Sequence, residues 1–151
     1  MEIIKLKIED VERYNIDIRI MLKQSYEKSF PEKSFDAASF FTRVQSLKAY
    51  MADGKAIVYG IKNKERLAGF VWFFEKDNQG YNLIHINHFV VHEDFRRVGV
   101  GKVLWDAVEG YATKKGIDEI ELLVTKNNKD AVNFYDKRNF QVERLVMKKR
   151  L

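Results

Sequence analysis

Cysteine is absent from the 151 residues of this chain. Disulfides, thiolate metal sites and a cysteine nucleophile are therefore excluded. A cysteine-free chain suits a reducing compartment. No apolar run approaches the ~20 residues that a membrane span needs. The opening Met1-Glu2-Ile3-Ile4-Lys5-Leu6 lacks the basic-then-apolar layout of a signal peptide. These absences predict a cytoplasmic protein that does not enter a membrane. No repeat, linker or low-complexity segment interrupts the chain, so residues 1–151 are predicted to form one domain. That length suffices to bury roughly two-thirds of the unfolded surface.

Composition is 46% hydrophobic and 32% charged, with a formal charge of +5. A positive balance suits nucleic acid, an acidic surface or an anionic small ligand. The basic residues are scattered, apart from Arg144, Lys148, Lys149 and Arg150, and no basic stripe interleaved with aromatics occurs. That distribution argues against nucleic acid. The C-terminal cluster reads as an edge strand guarded by charge.

Periodicity gives the elements. Ile3 to Lys7 reads as a strand, with Asp10 as a helix N-cap. Val11, Tyr14, Ile18, Met21, Leu22 and Tyr26 then recur at helical spacing until Pro31. A second helix begins near Asp36 and closes at Asp53-Gly54. Three strands follow, Lys55 to Lys62, Arg66 to Glu75 and Tyr81 to Val91, with short connections that imply an antiparallel meander. Gly99 to Lys115 is a helix with Gly116 as its cap. Glu119 to Thr125 is a strand. Asn127 or Asn128 caps a helix that runs to Arg138, and Phe140 to Lys149 is the last strand. The predicted class is α/β, with a mixed sheet and the order β-α-α-β-β-β-α-β-α-β.

The most informative stretch is Arg96-Arg97-Val98-Gly99-Val100-Gly101, between a strand and a helix. Two glycines one residue apart allow close backbone approach. The helix start adds unpartnered N–H groups and a positive dipole end, which suits a phosphate or pyrophosphate. An ordinary turn is the alternative. A P-loop is excluded, because it requires glycine at Arg96 and Ser or Thr at Val103. The Rossmann fingerprint fails at Leu104. His85 and His88 lie on opposite faces of a regular strand, so they do not share a metal. No metal site is predicted.

Three features in residues 83–140 together resemble the GNAT superfamily of acyl-CoA-dependent N-acetyltransferases. Arg96-x-x-Gly99-x-Gly101 matches the loop after that family's fourth strand. Asn128-Lys129-Asp130-Ala131-Val132-Asn133-Phe134-Tyr135 is similar to its Asn-x-x-Ala-x-x-aromatic-Tyr helix. Arg138-Asn139-Phe140 stands where the family has a Gly-Phe step. Asn139 is a departure, although Asn is the next residue best able to adopt a left-handed cap. A proline common near position 93 is also missing. The N-terminal half resembles the family only in its order of elements.

The resemblance implies a GNAT fold with a splay between the fourth and fifth strands, and acetyl-CoA as co-substrate. The pyrophosphate would lie on the backbone of Arg97, Val98, Gly99, Val100, Gly101 and Lys102. The pantetheine arm would run along the strand near Val90 and Val91. Arg96 is placed to pair with a phosphate or to stand solvated, and Asn128 is a further cofactor contact. Tyr135 would assist the departing thiolate, or else serve as a core aromatic. A strand N–H near Val90 would meet the oxyanion. His85 and Asn87 share a strand face at positions where the family places its base, with Glu75 and His88 in reserve; a bulge would change the facing beyond it. The acceptor would be a primary amine of a small molecule, peptide or protein. Tyr26, Phe30, Pro31, Phe35 and Phe40 would wall the acceptor or fill the core, with Trp72 and Phe74 also near the site. No acidic cluster demands a polyamine or aminoglycoside. The alternative is a non-catalytic acyl-CoA sensor. Such folds often form homodimers through the C-terminal strands.

Overall fold

The computed structural model describes residues 1–151. Five strands form one sheet in chain order: β1 (Glu2–Lys5), β2 (Ile57–Asn63), β3 (Arg66–Asn78), β4 (Tyr81–Val91) and β5 (Ile120–Leu122). β1 to β4 pair antiparallel, and β5 joins β4 in parallel. The helices are α1 (Ile8–Arg13), α2 (Asn15–Ser29), α3 (Ala37–Ala52), α4 (Val100–Lys115) and α5 (Lys129–Asp136). None is long and apolar enough to cross a membrane.

The turns follow from residue chemistry. Gln79 and Gly80 both have positive φ, +54° and +92°, as a two-residue hairpin of matching twist requires. Asp36 caps α3 by accepting the Ala38 N–H at 2.9 Å, which satisfies an otherwise orphan donor. Gly116 ends α4 in the left-handed region. Asn139 does the same after α5, with φ +66°.

Two apolar layers sandwich the sheet. Val11, Ile18, Met21, Leu22, Val44 and Leu47 from the first three helices pack on Val58, Phe70, Trp72 and Val90. Leu104, Trp105 and Val108 of α4, with Tyr135 of α5, pack on Val71, Phe73, Ile84 and Ile86 on the other face. Gly69 lets α4 press close. A Cβ there would lie 2.9 Å from Val100 Cγ1 and 3.0 Å from the Val90 carbonyl. The start of α4 is thus seated directly against β3 and β4.

Four expectations are corrected. The first long helix is broken at Tyr14, which links α1 to α2 with φ −97° and ψ 18°. Asp10 is not the cap residue; it lies inside the first turn and accepts the Lys7 N–H at 2.8 Å. β5 is only three residues long, against the seven expected from 119 to 125. The strand expected over Phe140–Lys149 does not form. Residues 141–151 are irregular and exposed, with Val142, Val146 and Met147 at 80%, 79% and 87%. A strand needs a ladder partner, and β5 is too short to supply one.

Candidate active site

The glycine loop is shaped by backbone conformation. A short 3-10 turn, Glu93–Phe95, leads from β4 into it. Arg97 and Gly99 both adopt positive φ, +63° and +88°. Gly99 then begins α4, and its carbonyl accepts the Val103 N–H at 3.1 Å. The N–H groups of Val100, Gly101 and Lys102 precede that first bond, so they have no partner within the helix. Arg96 donates from Nε to the Val91 carbonyl at 3.4 Å, pinning the loop to the strand end. The Lys102 ammonium instead reaches Asp106 at 2.7 Å, so only its backbone N–H is left open at the helix start. Arg66 holds the preceding turn by bridging Asp17 of α2 and Asp94, at 3.6 and 3.2 Å.

β4 and β5 part company beside this loop. Their ladder runs only from Ile84↔Ile120 to Ile86↔Leu122. Beyond it Leu123 is 80% exposed. The phase of the antiparallel ladder decides which backbone groups face the gap. The His92 N–H bonds the Ala68 carbonyl at 2.9 Å, and Val90 opposes Phe70 in the same register. Val90 therefore directs its N–H to β3, while Phe89 and Val91 direct theirs into the splay. This corrects the assignment of Val90 as an open donor.

A bulge re-aims the strand. Ile86 opposes Phe73 and His88 opposes Trp72, leaving Asn87 as the extra residue. Ile84, Ile86, Phe89 and Val91 face the α4 layer, whereas His88 and Val90 face the α2–α3 layer. Strict alternation had put His85 and His88 on opposite faces; the bulge returns both to one face. No group of three or more His, Asp or Glu residues is gathered there as a metal site.

The histidines differ in their surroundings. His88 packs on Trp72 and Tyr26, with ring centroids 5.2 and 6.0 Å apart. Its Nε2 accepts from Arg43 Nε and Nη2, at 3.2 and 3.1 Å. Burial, and then the Arg43 charge, push its pKa down to about 3. It is neutral and its lone pair is engaged, so His88 is unsuited to proton abstraction. His85 instead hydrogen-bonds Glu121 of β5 through Nδ1. Burial alone would raise the Glu121 carboxyl, but its hydrogen bonds and charge interactions with His85 and Lys76 outweigh that and hold it low. An ionised carboxylate only accepts, so Nδ1 of His85 carries the proton of that bond, and in the neutral ring Nε2 is the acceptor. Glu121 escaped the sequence reading, because only the parallel register places it opposite His85.

Tyr135 lies on α5 beside the splay, 9% exposed. Phe89, Trp105 and Phe140 surround its ring at 6.3, 6.5 and 5.4 Å. Burial pushes its phenol well above 10, although Arg138 opposes the shift. Asn128 caps α5 by accepting the Ala131 N–H at 3.4 Å, which leaves its amide nitrogen as the group free for a ligand.

An open cleft of about 640 Å³ lies at the bulge, lined in part by Arg43, Tyr50, Lys55, Phe74, Glu75 and Asn87. Phe74 also packs on His85, with ring centroids 5.2 Å apart. Glu75, a reserve base, accepts from Tyr111 at 2.9 Å. Tyr26, Phe30, Phe35 and Phe40 do not line this cleft. They pack on one another at 5.1–6.3 Å, with Tyr26, Phe35 and Phe40 against the core. Trp72 is likewise core, at 1% exposure.

Residues 16–140 match the family described as the acetyltransferase (GNAT) family. The L-ornithine N5-acetyltransferase of Arabidopsis thaliana is 37% identical over 81 residues, 50% of this chain and 34% of that protein. The thialysine N-epsilon-acetyltransferase of Caenorhabditis elegans is 31% identical over 88 residues, 50% of this chain and 54% of that protein. The chain thus spans about a third to a half of these relatives. Among solved structures, a Bacillus halodurans protein superposes with TM-score 0.78 at 18% identity, covering 100% of this chain and 99% of its own. A ribosomal-protein-alanine N-acetyltransferase from Brucella melitensis gives 0.71 at 18%, covering 100% of each chain. These last two likenesses concern the fold.

Proposed function

Because the chain belongs to the GNAT acetyltransferase family, we propose that it moves the acetyl group of acetyl-CoA onto a primary amine of a small molecule or peptide, by direct attack on the thioester. The observation that carries the reading is the juxtaposition of a helix start with free N–H groups and the β4–β5 splay. One suits a pyrophosphate, and the other suits an extended arm that pairs like a strand.

The steps follow from the residues. The pyrophosphate lies on the loop Arg97 to Lys102, with Arg96 and Asn128 at its margin. The arm pairs with the open edge at Phe89 and Val91. As the amine attacks, the carbonyl oxygen gains charge, and the Phe89 N–H is pre-oriented to meet it. The amine enters from the cleft past Asn87. Its proton passes to His85 Nε2, directly or through water, with Glu121 orienting the ring and stabilising the charged form. The C–S bond then breaks. Tyr135 donates a hydrogen bond to the thiolate. Full transfer from a phenol raised above 10 to a thiolate of pKa about 8.5 runs uphill, so the thiolate takes its proton from water.

The two relatives are named for acetylating a nitrogen of an amino acid, which supports an amine acceptor. The test is thiol release from acetyl-CoA across an amine panel, native against Tyr135→Phe. The variant should retain acetyl-CoA affinity and lose about tenfold to a hundredfold in kcat, the worth of one hydrogen bond to a charged group. Unchanged turnover would remove Tyr135 from the chemistry. Cofactor binding with no turnover by the native protein would indicate an acyl-CoA sensor.

A further inference from the structure

The cleft at the bulge carries a surplus of cationic donors. Arg43 of α3 lines it, held in place by two contacts. Its guanidinium carbon lies 4.9 Å from the Trp72 ring centroid, and two of its N–H groups converge on His88 Nε2. A guanidinium has five N–H donors, so three are left, including both on Nη1. No carboxylate of the protein pairs with them. Lys55 lines the same cleft, also without an ion pair. The indole N–H of Trp72, beneath Arg43, is buried and has no acceptor in the protein. Against these stands one carboxylate, Glu75, already accepting from Tyr111.

A fixed guanidinium with its terminal edge open is suited to bidentate capture of a carboxylate. It is preorganised here, because aromatic stacking and His88 hold it before any ligand arrives. Its usual partner is missing from the fold and is therefore to be sought in the ligand. Resting on the acetyl-transfer reading, we propose that the acceptor is an amine that also bears a carboxylate, an amino acid in its simplest form, and that Arg43 is the residue that selects it. Lys55 adds to the field on the anion, and Glu75 is positioned at the cleft for a second, cationic group.

Matched substrates provide the test. L-lysine and cadaverine differ only in the carboxylate, as do L-ornithine and putrescine. The native protein should favour the amino acid of each pair by roughly tenfold to a hundredfold in kcat/KM, mostly through KM. Arg43→Gln should bring the ratio near one while cadaverine turnover persists. Equal use of both members by the native protein, or a preference that survives in Arg43→Gln, would overturn the proposal. A second measurement separates it from the acetyl-transfer reading. Calorimetric titration with Nε-acetyl-L-lysine and with N-acetylcadaverine needs no turnover. Binding of the former alone, lost in a folded Arg43→Gln, supports carboxylate recognition even if no amine is acetylated. Equal or no binding of both refutes it.

Discussion

His88 should make this protein lose stability in mild acid, by an amount that follows from its surroundings. Its folded pKa is lowered from 6.5 to about 3 by burial and by Arg43. Between those values the unfolded chain binds a proton that the native state refuses. Stability from this group is therefore present above pH 6.5 and is lost as pH falls toward 3. At pH 8 the unfolded histidine is nearly all neutral and the difference vanishes. At pH 5 it is about 97% protonated while native His88 is neutral, which corresponds to about 2 kcal/mol. Urea unfolding of the native chain and His88→Gln at both pH values isolates the effect, since glutamine keeps an acceptor for Arg43. From pH 8 to pH 5 the native protein should lose about 2 kcal/mol more than the variant, near a 1 M shift in midpoint at ordinary slopes. Equal losses would show that His88 protonates freely, and the argument against it as a locked, neutral residue would fail.

Other perturbations test other links. Gly99→Ala places a methyl where nothing of the protein lies within 4 Å, so its cost comes from φ +88° alone. About 1–2 kcal/mol is expected, or roughly 2–8 °C in Tm; an unchanged Tm would contradict the left-handed assignment. Glu121→Gln should lower kcat by at least about tenfold and alter the pH profile of kcat/KM, because the charge that orients His85 is gone; an unaltered profile would rule out the pair. Since the Glu121 carboxyl is held below 4.5, its contribution to stability is present above that pH and is lost as pH falls beneath it. The exposed apolar residues in 141–151 should be covered by a second copy. Sedimentation should give a dimer that becomes a monomer when 141–151 are deleted, and a native mass of one chain would overturn this.

Local chemistry was legible in the sequence; register was not. Gly116, Asp36 and Asn139 behave as their side chains require, because caps and left-handed turns depend on a few neighbouring residues. The helical and alternating patterns gave β4 its bounds, Tyr81–Val91, and α4 nearly its own. The Arg96-x-x-Gly99-x-Gly101 spacing located the loop, since a strand-to-helix turn with two glycines is itself local. Glu121 was missed because its role is set by a parallel pairing across 36 positions. Val90 was taken as the oxyanion donor in place of Phe89 because ladder phase depends on β3, which periodicity in β4 does not report. Arg43 was missed for a similar reason: nothing near it in sequence indicates Trp72 and His88. The expected last strand found no ladder partner, so the sequence run alone overstated it.

The central claim is that the loop from Arg97 to Lys102 holds acetyl-CoA, and calorimetric titration of the native chain and Gly101→Glu tests it most directly. A Cβ at Gly101 would meet only the Phe134 ring edge at 3.3 Å and Val91 at 3.7 Å, contacts that small side-chain shifts relieve. A carboxylate in the first turn also suits the helix dipole, so the variant should fold. It would place a negative charge where the pyrophosphate belongs. Saturable binding to the native protein, lost in the folded variant, is the result expected. Equal binding by both, or none by a folded native protein, would mean that the helix start is not the cofactor site.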